Sequence, residues 1–536
     1  MPALENKVLE ISESDHNKDF RLFLTSMPCD YFPISVLQNS IKVTSEPPKG
    51  IKANLLRSVG SIKDKFFEEC KKKEELKKFT FSICCFHAIV HERKKYGPLG
   101  WNIIYDFNES DFEASQTIIR DMLNDDKEEI AWDAIKYLTG EIIYGGRVTD
   151  NQDRRCMMSI LETFINPSIL EEGYSFTHSG VYKLPKEGST VNEMLEYVQT
   201  LPDFDSPEIF GMNDNADIAC LASESNYLLS TVLSIQSKSS MGSSSSLDND
   251  NYVDSIAEKI KSTLPELLTR EGSAKELFKI NKQGLRASLT TYLLQEMERF
   301  NKLISIMDKS LDEIRNAIVG LAVMSEELDQ MYNNILINKV PEKWVENAYP
   351  SLKPLSSWVE NLCERVEFIR SWLTNGKIFK FWMPCFFFPQ GFLTAILQEH
   401  ARKAKIPIDE LSFSFKLLED EEENENVPVN KTATEYIIYG LFLECGKINK
   451  ETLMLEDAEF GKNYTQPPSI KIIPTRNYVS DPSDYSCPLY KTSERAGTLN
   501  TTGHSTNFIL MIEIPSSHPQ DHWIKRGTAM LCQLDD

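Results

Sequence analysis

Residues 411–417 read Leu411-Ser-Phe-Ser-Phe-Lys-Leu417, and the same alternation returns in Tyr436-Ile-Ile-Tyr-Gly-Leu-Phe-Leu443, Ile470-Lys-Ile-Ile473 and Asn507-Phe-Ile-Leu-Met-Ile-Glu-Ile514. A period of two sends every second side chain to one face of a strand. Glycine and proline punctuate the runs, which argues for a small antiparallel sheet or barrel, with a β-barrel over residues 409–536 as the expected form. Upstream the period changes. Leu289, Leu293, Phe300, Leu303, Ile304, Met307, Leu311, Ile314, Ile318 and Leu321 keep helical spacing without an internal proline, which predicts one or two long amphipathic helices. Another helix is expected from Leu355 to Leu373, just after Tyr349-Pro-Ser-Leu-Lys-Pro354. Helices thus extend to about residue 405, and the fold class is α+β.

Toward the amino terminus, Phe20-Arg-Leu-Phe-Leu-Thr25 reads as a buried strand, followed by the breaker cluster Glu46-Pro-Pro-Lys-Gly50. Ala53 to Lys78 reads as a charged connecting helix. Phe79 to His91 is apolar nearly all round, as a buried helix is, and Tyr96-Gly-Pro-Leu-Gly-Trp101 ends it with Trp101 anchoring the turn. Asn108 and Ser110 offer caps for a helix from about Asp111, and another starts over Trp132 to Leu138. Gly145-Gly-Arg-Val-Thr-Asp150 precedes a helix running through Asp153. Serine-rich Ser237 to Asn251 is expected as a mobile loop, and acidic Glu419 to Glu425 as a solvated hairpin tip.

The protein has 536 residues, with 80 acidic against 58 basic side chains and a formal net charge of -22, which disfavours a phosphate-neutralising surface and so nucleic-acid binding. Its 11 cysteines, an odd number at irregular spacing, fit a reducing compartment. The most membrane-like window, Ile378 to Leu397, contains Lys380, Pro384, Pro389, Gln390 and Gly391, so it reads as a buried turn and helix start.

Four clusters could carry chemistry. His87 and His91 stand four apart near Cys84 and Cys85, but Ala88 occupies the place where a zinc protease has its glutamate base, so buried packing is expected. His504 and Ser505 are adjacent and cannot form an activated pair with each other, and Thr498 to Thr506 reads as turn-filling hydroxyls. Gly145, Gly146 and Arg147 could hold an anion, yet no Gly-x-x-x-x-Gly-Lys-Ser/Thr occurs, and Gly376-Lys377, Gly446-Lys447 and Gly461-Lys462 lack the hydroxyl residue. Arg147, Arg154 and Arg155, with Asp150 and Asp153, are expected in ion pairs at a module boundary. The aromatic run Trp372, Phe379, Phe381, Trp382 and Phe386 to Phe388 reads as core joining helices to sheet. No catalytic, cofactor-binding or metal residue is assigned.

The longest words of the sequence are Cys487-Pro-Leu-Tyr490-Lys-Thr, Arg495-Ala-Gly-Thr-Leu-Asn-Thr-Thr-Gly-His504-Ser-Thr-Asn-Phe508 and His522-Trp-Ile-Lys-Arg-Gly527. With Phe381-Trp-Met-Pro-Cys-Phe-Phe-Phe-Pro-Gln-Gly-Phe-Leu-Thr394 they resemble the carboxyl-terminal domain of dynein heavy chains. Phe81 to Arg93, Gly97-Pro-Leu-Gly-Trp-Asn102, Leu138-Thr-Gly-Glu141 and Tyr144-Gly-Gly-Arg-Val-Thr-Asp150 resemble the helical lid of that family's sixth AAA module. Phe20 to Thr25 and Phe32-Pro-Ile-Ser-Val-Leu-Gln38 resemble the end of the module's large subdomain, with Met1 to Asn17 only weakly similar. One departure is Glu444-Cys-Gly-Lys-Ile-Asn449, where the family reads closer to Glu-Gly-Ala-Arg-Trp-Asp.

The resemblance implies residues 1–45 as the end of a degenerate P-loop-type subdomain, 46–78 as a connecting helix, 79–212 as the AAA lid and 218–536 as the C-terminal domain. It implies an ATP-driven, minus-end-directed microtubule motor of cilia and flagella, in which this portion closes the ring and couples force. ATP and magnesium would be held by upstream AAA modules, leaving this polypeptide without a cofactor and inactive as an ATPase alone. Implied partners are those modules, dynein intermediate and light chains, and microtubules, with no nucleic acid and no membrane. The implied location is the cytoskeleton, in a ciliary axoneme rather than on the cytoplasmic cargo type. The alternative is a truncated non-motor interaction protein of the same fold. Fragment and native short product stay open.

Overall fold

The computed structural model describes residues 2–13, 17, 19–26, 29, 32–44, 47–125, 129–235, 246–280, 284–419, 435–497 and 506–535. His504, Ser505, most of the acidic run after Glu419 and residues 236–245 of the serine-rich stretch lie outside them. Two compact units divide the protein, Met1–Lys49 and Gly50–Asp536.

In the first unit, helices Pro2–Glu13 and Ile34–Gln38 are joined by the Ser35 hydroxyl, which donates to Glu5 Oε1 at 2.5 Å. Phe20 to Thr25 is not a buried strand: the segment takes no strand conformation, and Phe23 is 88% exposed. Apolar alternation states which face a strand would bury, but a strand exists only where a neighbour takes its N–H and C=O groups. Here Phe20 N donates locally, to Asn17 O at 2.9 Å, instead of across a ladder.

The second unit begins with helices. The single connecting helix expected over 46–78 is instead Ile51–Gly60, Asp64–Glu68 and the first turns of Lys73–Glu92. The breaks turn Phe67 and Cys70 inward beside Leu55 and Val59. Every residue from Lys78 to Val90 is buried, and Lys78 Nζ answers its burial with Leu170 O and Glu187 Oε1, both at 2.7 Å. Glu109–Leu123 starts at Asn108, whose N–H donates to Asp111 Oδ2 at 2.8 Å, the reciprocal cap expected there.

Trp132–Lys136 runs into a π-helical Tyr137–Tyr144 that packs on Asn151–Phe164. Gly140 allows the approach, since a Cβ there would lie 2.4 Å from Met158 Sδ.

Ser246–Asn251 departs from the expected loop by opening helix Ser246–Thr263. Asp250 accepts from the Tyr332 hydroxyl and Asp254 from Arg315 Nε, each at 2.8 Å, so acidic side chains that suggested solvation fasten this helix to two others. Leu289 to Ile318 belongs to one helix, Ser288–Ile318, while Leu321 lies beyond it and is exposed. Glu326–Leu336, Leu355–Asn375 and Pro389–Ala404 complete this layer.

The strands are β1 (Lys380–Trp382), β2 (Leu411–Leu417), β3 (Tyr436–Tyr439), β4 (Phe442–Glu444), β5 (Lys447–Ile448), β6 (Leu455–Glu456), β7 (Tyr464–Thr465), β8 (Ile470–Arg476), β9 (Tyr485–Tyr490), β10 (Phe508–Ile514) and β11 (Ala529–Leu531). They form two open sheets ordered β1-β3-β8-β2 and β10-β9-β11-β4-β7, with β5-β6 as a separate pair. The expected closed, antiparallel barrel is therefore corrected on two counts. Each sheet has free ends, and β1 runs parallel to β3 as β11 does to β9. The strands have seven residues or fewer and divide between sheets, which leaves no continuous ladder to close. The aromatic run is the joint the sequence suggested: Phe381 in β1 is buried between Trp372 of a helix (ring centroids 5.1 Å apart) and Phe392 of the next (4.7 Å).

His87 and His91 sit inside the helical part with rings 4.5 Å apart, and His87 Nδ1 lies 2.9 Å from the Tyr144 hydroxyl. Burial, then mutual repulsion, pushes His87 down from 6.5 to about 3; burial, then the Lys94 charge, pushes His91 to about 4. A depressed folded value favours the neutral form, so this stability is fully present above 6.5 and drains away as pH falls toward 4. Asp153, raised to about 7 chiefly by burial, acts with the opposite sign over much of that window. Comparison with a His87→Gln/His91→Gln variant isolates the pair. Urea denaturation at a series of pH values should show wild-type stability rising more steeply between pH 4 and 6.5, by up to about 1.4 kcal/mol per pH unit for each histidine.

Candidate functional site

Helix Asn151–Phe164 begins at Asp150, whose Oδ1 accepts from Gln152 N (2.8 Å) and Asp153 N (3.0 Å). Asp153 then accepts from Asn102 N at 2.9 Å, Ile103 N at 3.1 Å and the Tyr105 hydroxyl at 2.8 Å. That fixes the loop after Trp101 against the helix. From this loop Asn102 Nδ2 reaches the Tyr490 hydroxyl in β9 at 2.9 Å.

Further links follow along the same helix. Arg155 Nη1 donates to Ser486 O (3.1 Å), the Ser159 hydroxyl to Asp521 Oδ1 (2.7 Å), and Lys525 Nζ to Thr163 Oγ1 (2.8 Å). Residues 151–163 thus bond strand β9 and helix Gln520–Arg526, more than three hundred positions away in sequence.

At the centre lies Arg93, fully buried. Its guanidinium donates to Gly100 O at 2.9 Å, to Lys525 O at 2.6 Å and to Phe210 O, with Leu99 O at 3.5 Å. Lys525 stands in the last turn of its helix, where carbonyls have no intrahelical donor and the dipole is negative, so the cation caps that end. Arg495 does the same from the other side: Nη2 donates to Gly527 O at 2.7 Å and pairs with buried Glu444. Gly527, at φ 69°, brings this helix end onto the turn after Arg93, since a Cβ there would stand 2.7 Å from Leu99 O. A cleft of about 520 Å³ opens beside the contact, flanked by Glu141, Arg154, Glu162 and Asp521.

The sequence candidates fall apart as chemistry. His87 and His91 pack against Tyr144, Phe107 and Phe112. Cys84 and Cys85 are buried, with thiols pushed up chiefly by burial, so they resist forming nucleophilic thiolates. At Gly145 to Arg147 the N–H groups are already engaged, Gly145 N with Gly140 O (2.7 Å) and Arg147 N with Tyr144 O (3.1 Å), and do not converge on an anion.

Arg147 pairs with Asp111 at 2.6 Å and Arg154 with Glu141 at 3.9 Å. Asp150 and Asp153 serve as a helix cap and a loop clamp instead of as their partners. Two residues escaped the sequence reading although they share the spacing that drew attention to His87 and His91. These are His518 and His522, which lie beside Asp457.

No helix among the described residues is long and apolar enough to cross a membrane. Three family models match: the C-terminal domain of the dynein heavy chain over residues 222–532, the dynein heavy chain AAA lid domain over 76–216 and the dynein heavy chain region D6 P-loop domain over 1–44. Human dynein axonemal heavy chain 6 is 43% identical over 100% of this sequence and 13% of its own length. Mouse dynein axonemal heavy chain 1 is 43% identical over 100% of this sequence and 12% of its own, and human dynein axonemal heavy chain 3 is 43% identical over 100% and 13%. The protein thus spans only about an eighth of the length of these relatives. With model matches and full-length similarity in agreement, the protein belongs to the dynein heavy chains and corresponds to their C-terminal region.

Proposed function

We propose that this polypeptide acts as the ring-closing, force-coupling part of an axonemal-type dynein heavy chain, in which lid and C-terminal domain move as one body. The observation that carries this reading is the buried arginine seam. Arg93 of the lid reaches Lys525 O across the boundary, so separating lid from C-terminal domain would take an acceptor from a fully buried cation, while Arg495 braces the same helix end from within the C-terminal domain. Such a joint transmits displacement instead of absorbing it, as passage of strain between ring modules requires.

The sequence has no phosphate loop, which supports placing ATP and magnesium in other modules of a heavy chain. Microtubules and the accessory chains would then be engaged through the assembled motor, and the axonemal character of the relatives supports a place in a cilium or flagellum.

The test uses a heavy chain that includes this segment, with Gly527→Ala or Arg93→Leu at the seam. Gly527→Ala is expected to cost about 2 kcal/mol, because the new Cβ meets backbone at a left-handed position. If the seam couples, microtubule gliding slows severalfold while basal ATP turnover is kept. Unchanged gliding in both variants would overturn the proposal. The 536-residue polypeptide alone should bind no ATP in equilibrium dialysis, and saturable binding would overturn the assignment of nucleotide to other modules.

A further inference from the structure

Asp457, just after β6, lies against helix Gln520–Arg526, beside His518 and His522. One ligand-capable atom from each lies within 4.8 Å of the other two. His522 Nε2 is 3.1 Å from Asp457 Oδ1, and the two imidazoles stack with centroids 4.3 Å apart and planes 15° apart.

The backbone around them is fixed. Leu455 N donates to Pro515 O at 2.8 Å, tying the segment that carries Asp457 to the one that leads into His518. Ser516 Oγ accepts from Trp523 Nε1 at 2.7 Å and from His518 N at 3.1 Å, locking the turn onto its own helix. Trp523 is fully buried, so this support does not depend on the exposed ligands.

A cation already sits in the cluster. Arg526 Nε donates to His522 Nε2 at 2.8 Å and lies 3.2 Å from Asp457 Oδ1. A donor aimed at Nε2 meets the imidazole lone pair, the same pair a metal would use. The guanidinium therefore marks a place where positive charge is met by one nitrogen and one oxygen donor, with the second imidazole alongside.

We propose that Asp457, His518 and His522 form a site for a divalent metal ion of the zinc class, with the ion taking the place of Arg526 Nε. Two imidazole nitrogens and one carboxylate oxygen are a borderline donor set that suits zinc, whereas calcium and magnesium call for oxygen throughout. Water fills the fourth tetrahedral position. The ion would pin the turn after β6 to the helix whose far end carries Lys525 and Gly527, stiffening the element that both buried arginines cap.

The test titrates the metal-free 536-residue polypeptide with Zn2+ by isothermal calorimetry, and with Co2+ followed by visible absorption. One ion per molecule is expected at micromolar affinity, with a tetrahedral Co2+ spectrum free of thiolate charge transfer. His518→Ala, His522→Ala and Asp457→Asn should each weaken binding by at least about tenfold while circular dichroism is unchanged. Arg526→Gln should tighten it severalfold by removing the competing charge. The proposal is overturned if no stoichiometric ion binds, if binding survives in His522→Ala, if cobalt reports thiolate ligation, or if Arg526→Gln weakens it.

Discussion

A full positive charge at Arg93 lies where no solvent reaches, and the surrounding architecture answers it with backbone carbonyls, not with a carboxylate. Removing a guanidinium from water costs several kcal/mol unless its donors are met. Its acceptors come from the turn after the lid's central helix, from Phe210 and from Lys525. The charge is therefore satisfied only when two distant stretches have folded onto a local turn. Carbonyls at a helix C-terminus are suited to this, because they are otherwise unpaired and carry the negative end of the dipole. Lid and C-terminal domain are thus interdependent: each supplies what the other would lack in isolation.

The same device recurs deeper in the C-terminal domain. Buried Arg365 donates from helix Leu355–Asn375 to Pro384 O and to Gln533 Oε1 (2.9 Å), with its guanidinium 3.6 Å from the Tyr349 ring centroid. Gln533 in turn donates to Pro350 O. On the other side of the aromatic joint, buried Glu296 accepts from Phe387 N at 2.7 Å and pairs with Arg299 at 2.7 Å. Each network fixes the aromatic run by its backbone while ring packing fills the space between, so the joint has both apolar bulk and directional constraint.

Elements with strong local period were legible from the sequence: the buried helix around Phe79 to His91, the helix from Leu289, and strands β2, β8 and β10. Two-residue strands such as β5 and β7 were not, because they are shorter than any alternation that could announce them. Strand β9 was hidden by Pro488, a residue that normally argues against a central strand. β11 pairs only with Leu489 and Tyr490, so at Pro488 the strand is locally an edge and the missing N–H is not needed. Phe20 to Thr25 misled in the opposite direction, having the composition of a strand without forming one. The barrel failed because local alternation says nothing of how strands are shared between sheets. At Cys445 the structure gives the departure from the family words a physical meaning. The residue adopts φ 57°, a conformation in which the glycine of the family words would be free of strain.

The seam itself was only half visible. Arg93, Asn102, Tyr490, Arg495 and Gly527 all lie within the words that carried the resemblance, yet their roles could not be read. The distant partners of Arg93 are carbonyls 117 and 432 positions away, and a carbonyl looks the same whatever residue bears it. Charges matched to carboxylates leave a trace in composition, whereas charges matched to backbone leave none. That is why Arg147, Arg154 and Arg155, with acidic neighbours in sequence, drew attention as a boundary. The residue that crosses the boundary at its centre is an arginine at the end of an apolar helix, and the helix end it meets is braced from within the C-terminal domain by another inside a run of small polar residues. Lys525 O stays within reach of Arg93 only while the helix end and the turn keep register, so a shift of one against the other breaks that charge-assisted bond. A buried bond between a charge and a carbonyl is directional, so it fixes the register of lid and C-terminal domain at the point where they meet.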